Sequence, residues 1–367
     1  MHRFIALVVT GLLLSACSKT GDNIIWEKTF GQGEARFVTP AGDTAIICGG
    51  TVEGKPYIAY LDKNHNRRFE YNPDVTGAFT SAIAGSENII AAGSSAGKLN
   101  ISFIQYDGIV LIDTLIDCPF DAEGVSLCKT GTESFLAVVS RSADSITAGT
   151  HGLSFISFDN TGTITRRKDT VIYSFYSASS AATDNQGNIY LAVTRPGNGG
   201  KMKASVARFD EWFSKVWERE LYNNPDFGAS SLALTTDNNG NVYVSGYAEL
   251  PVSNGTNLNS FAASVSPTGT IRWKNYLEYT NHATSLFFDN SGSLLVLNGG
   301  CLILNLLTPA DGTVEGIMRT YASCDPKLDK AEGNSAAVGY GNSLVIAGSK
   351  NGLFYLAARP PDVLSPI

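Results

Sequence analysis

The sequence carries little charge and has no long basic run. Lys, Arg, Asp and Glu together make up 17% of the 367 residues, and the formal net charge is −7. The longest basic stretches are Arg-Arg-Lys at 166–168 and Arg-Arg at 67–68. Proteins that bind nucleic acid usually concentrate Lys and Arg on one face to neutralise phosphates. We therefore expect no nucleic-acid partner.

Histidine is also scarce. The sequence has no Cys-x-x-Cys, and Gly31-Gln32-Gly33 lacks the rest of a dinucleotide fingerprint. The four histidines are His2, His65, His151 and His282, and they stand far apart in the chain. We predict no catalytic residue, no metal and no cofactor. A catalytic group assembled from distant loops, as in an enzyme on the same scaffold, is the alternative.

The N-terminus has the pattern of a targeting segment. Arg3 precedes an apolar run from Phe4 to Leu14, which is too short to span a bilayer as a mature helix. The sequence Leu-Ser-Ala-Cys at 14–17 resembles the lipobox of bacterial lipoprotein precursors. This resemblance implies a signal peptide at 1–16, a lipid on Cys17, a short tether at 17–23, and anchoring in the cell envelope, in the outer membrane on its periplasmic side or at the cell surface. Several acyl chains on one residue give firm anchoring.

Five cysteines remain after Cys17: Cys48, Cys118, Cys128, Cys301 and Cys324. Their spacing does not match a zinc site. An oxidising compartment permits disulfides, and Cys118–Cys128 or Cys301–Cys324 could pair. The odd number leaves at least one free thiol, and we expect Cys48 to be buried and free because TAIICGG at 44–50 has the pattern of a buried strand.

One phrase recurs roughly every fifty residues. It reads ATDNQGNIYLAVT at 182–194, TTDNNGNVYVSGY at 235–247 and, more loosely, FFDNSGSLLVLNG at 287–299. Asn and Gly tolerate the positive φ angles of tight hairpin turns, so each copy predicts strand, turn, strand. Turn chemistry also accounts for Asp184, Asp237 and Asp289, which lack the spacing of a calcium-binding loop.

A second turn phrase follows in each unit, as in SFDNTGTITRR at 157–167 and SVSPTGTIRWKNY at 264–276. One unit is thus four strands, which we denote a, b, c and d. Strand a is rich in small residues and starts near Ala35, Thr80, Gly124, Ala178, Ala229, Ala283 and Gly333. Seven four-stranded units at spacings of about 44–54 residues predict an all-β fold, a seven-bladed β-propeller of antiparallel blades over 24–367.

The two ends of the repeat region complement each other. The seventh unit has strands a, b and c and then reaches Pro360-Pro361, whereas the chain starts with an orphan strand at 24–30. Trp26 in that strand matches the strand-d residues Trp217 and Trp273. We therefore predict that 24–30 completes the last blade and closes the ring, and that these tryptophans pack between blades.

The sequence carries two family resemblances. The phrases WEKTFG at 26–31, DTAIICGGT at 43–51 and YIAYLDKN at 57–64 resemble repeats of bacterial seven-bladed propeller lipoproteins. The phrase SPTGTIRW at 266–273 resembles, in degenerate form, the docking motif of pyrroloquinoline-quinone-type propellers. The first resemblance implies a binding function or one that is not known, since it carries no catalytic signature.

Strand polarity assigns the connections to two faces. The a–b and c–d turns lie on one side of the disc, here named the tight-turn face. The b–c and d–a connections lie on the other, the long-loop face, and include the predicted loops 140–152, 194–203 and 248–260. Aromatic residues recur in the d–a connections and form the candidate binding face: Tyr71, Phe120, Tyr173, Tyr176, Tyr222, Phe227, Tyr279 and Tyr321. The alternative is that they cap the blade cores.

The sequence therefore predicts a lipid-anchored, non-enzymatic module that binds a protein or glycan partner through loops on a rigid scaffold. The alternative is a periplasmic hydrolase, lyase or quinone-dependent dehydrogenase on the same propeller.

Overall fold

The computed structural model describes residues 26–366 except 43, 142–150, 173–175, 253–254, 278–281, 300–302, 320–330, 340–342 and 360–364. The predicted signal peptide and tether, and with them Cys17, lie outside the described residues. Among the described residues there is no helix long and apolar enough to cross a membrane.

The described strands form six antiparallel sheets: four have four strands, one has five, and one has seven because the long first strand belongs to two four-stranded blades. Each predicted unit is one blade. Blade 1 contains the second part of the long β1 (Trp26–Pro40) with β2 (Ile46–Val52), β3 (Lys55–Leu61) and β4 (Arg67–Tyr71), and blade 2 contains β5 (Ala78–Ala84), β6 (Asn88–Ser95), β7 (Lys98–Gln105) and β8 (Val110–Ile116). Blade 3 contains β9 (Gly124–Gly131), β10 (Ser134–Ser140), β11 (His151–Asp159) and β12 (Ile164–Ile172), and blade 4 contains β13 (Ser177–Thr183), β14 (Ile189–Pro196), β15 (Met202–Phe209) and β16 (Lys215–Tyr222).

The remaining strands are β17 (Ala229–Thr236), β18 (Val242–Val252), β19 (Gly255–Val265) and β20 (Ile271–Tyr276) in blade 5; β21 (Ala283–Phe288), β22 (Leu294–Asn298), β23 (Ile303–Leu307) and β24 (Val314–Arg319) in blade 6; β25 (Ala331–Val338), β26 (Leu344–Lys350) and β27 (Leu353–Arg359) in blade 7; and the short β28 (Ser365–Pro366). All seven predicted starts of strand a fall within or next to an innermost strand, so the seven-unit prediction is confirmed.

Strand β1 closes the ring by serving two blades. Its first part pairs with β27, with Trp26 opposite Ala358, and its second part pairs with β2, with Val38 opposite Cys48. The prediction that 24–30 completes the last blade is confirmed for the described part of that strand. The C-terminal β28 pairs with the outer strand β24, as a fifth strand of blade 6, which the sequence analysis did not predict.

Six turns of the tight-turn face are built by an Asp side chain at their first position. In the a–b turn of blade 5, Asp237 Oδ1 accepts the N–H groups of Asn239 and Asn241 at 2.9 Å each. Its Oδ2 accepts the Tyr243 hydroxyl at 3.0 Å. Asp184 makes the same set of contacts in blade 4. These oxygens are therefore occupied by the turn itself, as expected for Asx turns.

In each of the six turns that begin with Asp, the fourth residue has a positive φ angle. Gly240 holds it with φ 74°, whereas in blade 4 the c–d turn places Phe213 there with φ 58°. Phe213 is a costly residue for this conformation. Its ring, however, is buried and stacks on Phe155 with centroids 5.0 Å apart, so core packing offsets the strain.

The hydrophobic core is divided among the blade interfaces. Seven clusters of buried residues lie between successive blades, and the cluster between blades 7 and 1 contains Cys48, Val345 and Leu356 together with Trp26 and Phe30. Cys48 is fully buried and free, and burial raises the pKa of its thiol to about 12.

The possible pairing of Cys118 with Cys128 is wrong, because both thiols are free. Cys128 points into the interface between blades 3 and 4, whereas Cys118 packs against the interface between blades 2 and 3. Cys301 lies outside the described residues, as does Cys324.

Tryptophans of strand d dock three of the blades onto the next blade, as predicted. Trp217 Nε1 donates to Pro267 O at 3.0 Å, and its ring covers Gly269, where an added Cβ would lie 3.1 Å from it. Trp273 makes the same two contacts: its Nε1 donates to Pro309 O at 3.0 Å, and its ring covers Gly312. At the closing junction Trp26 packs on His65, with ring centroids 4.4 Å apart. The ring closure therefore uses the same docking position as the internal junctions.

Small residues of strand a also join the blades through hydrogen bonds. At five of the junctions a Ser Oγ accepts a backbone N–H of the next blade: Ser81 from Leu127, Ser126 from Ala181, Ser180 from Leu234, Ser285 from Ala336 and Ser335 from Val38. The last of these closes the ring at 3.3 Å. Strand a is therefore rich in small residues for hydrogen bonding as well as for space.

Candidate binding site

A cleft of about 450 Å³ opens on the long-loop face between blades 4 and 5. Its walls are the connection from β16 to β17, the end of β18 and the end of β20. The lining side chains include aromatic, acidic, amide and basic groups: Glu220, Tyr222, Asn223, Asn224, Phe227, Glu249, Lys274 and Tyr276.

One wall of the cleft corrects the sequence analysis. Residues 248–260 were predicted to be a long loop, but β18 and β19 continue as a paired ladder in which Glu249 lies opposite Leu258 and Pro251 opposite Thr256. The neighbouring predicted loop 194–203 is likewise short, with β14 ending at Pro196 and a single 3₁₀ turn at Asn198–Gly200. The cleft is thus framed by extended strands, which position side chains more rigidly than loops do.

Glu249 fixes the d–a connection that forms the opposite wall. Its Oε2 accepts the Gly228 N–H at 2.9 Å, and its own N–H donates to Gly228 O at 2.8 Å. Within that connection Asn224 Oδ1 accepts the Asp226 N–H at 2.9 Å and forms an Asx turn. The backbone from Asn224 to Gly228 is therefore held by side chains of both walls.

The aromatic floor is built around Tyr222. Its ring packs on Phe261 and on Tyr276, with centroid distances of 4.6 and 5.1 Å. Lys274 places Nζ 4.3 Å from the centroid of the Tyr222 ring and donates to Leu221 O at 2.9 Å. Burial lowers the pKa of Lys274. Tyr276 is 44% exposed, and its ring is the accessible aromatic surface of the cleft.

Glu220 supplies the acidic side of the cleft. It accepts a hydrogen bond from Lys203 Nζ and one from Asn223 Nδ2 at 2.7 Å, and Arg195 Nη2 lies 3.5 Å away. The hydrogen bond from Lys203 is the main cause that lowers the pKa of Glu220. The carboxylate is thus ionised at neutral pH and is held in place as a hydrogen-bond acceptor.

The predicted aromatic residues are not brought together as one ring. Tyr222 and Phe227 line the cleft. Phe120 and Tyr176 are only 6% and 5% exposed and belong to the cores between blades 2 and 3 and between blades 3 and 4. Tyr71 packs partly buried between blades 1 and 2, and burial together with a hydrogen bond to Asp113 raises its pKa. Tyr173, Tyr279 and Tyr321 lie outside the described residues.

Six of the lining residues named above were not among the predicted site residues: Glu220, Asn223, Asn224, Glu249, Lys274 and Tyr276. The prediction was confined to aromatic residues of the d–a connections, whereas Glu220, Lys274 and Tyr276 stand on outer strands and Glu249 stands on β18. Tyr276 and Lys274 end strand β20, which by its polarity ends on the long-loop face. The direction of β20 was therefore the feature of the sequence that could have identified these two residues.

The described histidines lie apart from the cleft. His65 is in a c–d turn beneath Trp26, and His282 contacts the Tyr247 ring with centroids 4.5 Å apart. His151 starts β11 and is buried, and burial followed by the charge of Arg141 lowers its pKa. Within the described part of the chain, no group of three or more His, Cys, Asp or Glu side chains is placed to hold a metal.

No family model matches this sequence, and no curated protein matches it. Solved structures do match in fold. The WD40 domain of Pan2 from Neurospora crassa has a TM-score of 0.59 at 11% identity and covers 94% of this chain and 98% of its own. A streptogramin B lyase has a TM-score of 0.60 at 14% identity, with 93% and 98% covered. The virginiamycin B lyase of Staphylococcus aureus has a TM-score of 0.60 at 12% identity, with 91% and 98% covered.

These neighbours are enzymes and a WD40 domain, and identities this low relate folds rather than activities. The chain is an all-β protein with the β-propeller fold.

Proposed function

We propose that this chain is a non-enzymatic binding propeller, held in the cell envelope by a lipid on Cys17, whose cleft between blades 4 and 5 binds a glycan. The single observation that supports this binding site is that the exposed Tyr276 ring, Glu220, Glu249 and Lys274 line the same cleft. Ligand sites typically combine aromatic walls with a few oriented polar groups.

The size of the cleft favours a glycan over a folded protein partner. Its volume of about 450 Å³ lies in the range of small-ligand sites. A stable protein interface needs roughly 800 Å² from each partner, which a cleft of this size does not offer by itself. A sugar ring presents an apolar face that can stack on Tyr276, and hydroxyl groups that can donate to the two carboxylates.

The experiment is a glycan array followed by titration calorimetry on the protein from residue 18 onward. We expect an oligosaccharide to bind the parent protein, Tyr276→Ala to weaken binding at least tenfold, and Asn224→Ala to weaken it less. Trp212→Ala is the matched control, since Trp212 is an exposed aromatic residue on the tight-turn face. Binding that is unchanged by Tyr276→Ala, or no binding on the array, would overturn the proposal.

The alternative is an enzyme, and the lyase neighbours together with His151 favour testing it. His151 lies at the long-loop end of blade 3, near the charges of Glu123 and Arg141, which are 3.8 Å apart. The S. aureus lyase is known in complex with quinupristin. We expect this chain to leave quinupristin unchanged in a chromatographic assay. A product that forms with the parent protein and not with His151→Ala would establish the enzyme instead.

A further inference from the structure

In the described part of the chain, β28 covers the outer strand β24 of blade 6, and the outer strands of the other six blades are unpaired edges. Exposed edges can pair with other chains, and Lys or Arg on the strand disfavours such pairing. Five of the six unpaired edges carry basic residues: Lys28 in β1, Arg67 and Arg68 in β4, Arg166, Arg167 and Lys168 in β12, Lys215 and Arg219 in β16, and Arg272 and Lys274 in β20. Strand β8, with the sequence VLIDTLI, has none.

Strand β8 also exposes aliphatic side chains. Leu111 is 48% exposed and Leu115 is 40% exposed, and Ile109 in the preceding turn is 56% exposed. Leu111 and Leu115 flank Asp113 at alternate positions, so the three side chains share one side of the strand. A β-bulge near the start of the outer strand occurs in blades 1–6 alike and does not distinguish β8.

The fold already contains one example of strand addition to an outer edge. Strand β28 pairs with Gly316 and Ile317 of β24. The outer edge of a blade in this propeller can therefore accept an extended segment while its four-stranded sheet stays intact.

The charges around β8 indicate which kind of segment fits. Asp113 in the strand, Asp107 before it and Asp117 after it are exposed. Among the described residues, these three carboxylates form one salt bridge, in which Lys98 Nζ lies 2.9 Å from Asp117 Oδ1. A second copy of β8 is a poor partner. Antiparallel pairing that places Leu111 opposite Leu115 also places Asp113 opposite Asp113 of the other copy, and like charges directly opposite are destabilising.

We propose that the outer edge of β8 binds an extended polypeptide segment in which apolar residues flank a Lys or Arg, so that the segment becomes a fifth strand of blade 2. Main-chain hydrogen bonds would supply affinity, and the contacts with Leu111, Asp113 and Leu115 would supply specificity. This proposal is independent of the glycan cleft, which lies on other blades.

The test uses the protein from residue 18 onward and a fluorescent peptide, Thr-Val-Thr-Lys-Thr-Val-Thr, followed by anisotropy up to millimolar protein. We expect Leu115→Lys to weaken binding at least tenfold, because it adds a charge to the edge and repels the peptide lysine. Val171→Lys is the matched control, since Val171 is an exposed aliphatic residue on the outer strand of blade 3. A peptide with Glu in place of Lys should bind more weakly.

Two results would overturn the proposal. One is equal binding by the parent protein, Leu115→Lys and Val171→Lys, or no binding by any of them. The other is a concentration-dependent dimer in sedimentation experiments that Leu115→Lys abolishes while the peptide does not bind, because the edge would then serve a second copy of this chain.

Discussion

Trp273 of blade 5 donates its indole N–H to Pro309 O of blade 6 at 3.0 Å, and its ring lies over Gly312. The contact joins the outer strand of blade 5 to the c–d turn of blade 6. We expect Trp273→Phe to lower the free energy of unfolding by about 1 kcal/mol, because the ring remains and the hydrogen bond is lost. Trp273→Ala should lower it by about 3–5 kcal/mol.

Urea denaturation monitored by circular dichroism measures both effects. Trp212→Ala is the control, because Trp212 is 61% exposed and has the Arg166 guanidinium over its ring. We expect that control to change the free energy of unfolding by at most about 1 kcal/mol. A Trp273→Phe protein as stable as the parent would show that the indole hydrogen bond has no part in docking.

Deletion of residues 24–30 tests ring closure. The deletion removes the ladder from Trp26 opposite Ala358 to Thr29 opposite Tyr355, and it also removes Trp26 and Phe30 from the interface between blades 7 and 1. We expect a loss of about 3 kcal/mol or more in the free energy of unfolding, because hydrogen bonds and buried apolar area are lost together. Deletion of residues 18–23, which precede the strand, is the control. A variant lacking 24–30 that melts within a few degrees of this control would contradict the role of β1 in closure.

Asp159 gives a prediction on acid stability. Its Oδ1 accepts the Thr161 hydroxyl at 2.6 Å and the N–H groups of Thr161 and Thr163 at 2.9 and 3.0 Å. These hydrogen bonds lower the pKa of Asp159 in the folded protein, and the bond from the Thr161 hydroxyl has the largest effect. Since the unfolded chain has the higher pKa, it binds the proton first. The stabilisation is complete above the unfolded value of about 3.9 and is lost as the pH falls through the folded value.

We therefore expect Asp159→Asn to be less stable than the parent at neutral pH, and the difference to shrink as the pH falls below about 4. Urea midpoints at several pH values measure it. Glu211→Gln, in an exposed turn of the next blade, corrects for the loss of one negative charge. A stability difference that is constant from neutral pH to about pH 2 would refute the role of the ionised carboxylate.

Cys17 carries the prediction on anchoring. If the motif at 14–17 directs lipidation, Cys17→Ala should leave an uncleaved precursor that lacks lipid. Metabolic labelling with a fatty acid and detergent phase partition measure both properties. Cys48→Ala is the control, since Cys48 is a buried thiol in blade 1. Normal cleavage of Cys17→Ala, with release into the aqueous phase, would indicate an ordinary secreted protein.

The repeat architecture was predictable because turn chemistry is local. An Asp at the first position and a Gly at the fourth identify the a–b turns of blades 4, 5 and 6 and the c–d turn of blade 3, and the missing last strand identified the closing segment. The sequence did not reveal that Phe213 takes a glycine position, since that depends on its stacking with Phe155. It also did not reveal that strand-a serines bond the next blade, because those partners are about fifty residues away.

The candidate site was predicted only in part. The d–a connection of blade 4 was predicted to contribute aromatic residues to a binding face, and Tyr222 and Phe227 line the cleft. Phe120 and Tyr176 come from equivalent connections but are buried. A sequence pattern cannot distinguish a loop that turns its ring outward from one that covers a core, because the difference is set by the neighbouring blade.

The closing strand has a consequence for how the protein folds during synthesis. Glu27 accepts the Tyr355 hydroxyl across 328 positions of sequence, and Val38 bonds Ser335 across 297. The first part of β1 is synthesised before the other strands, and its partner β27 is among the last segments to follow. Blades 2–6 can each form from contiguous chain, whereas the first part of β1 has an unpaired edge until β27 is available. Its exposure to chaperones and proteases is therefore the longest of any strand in the propeller.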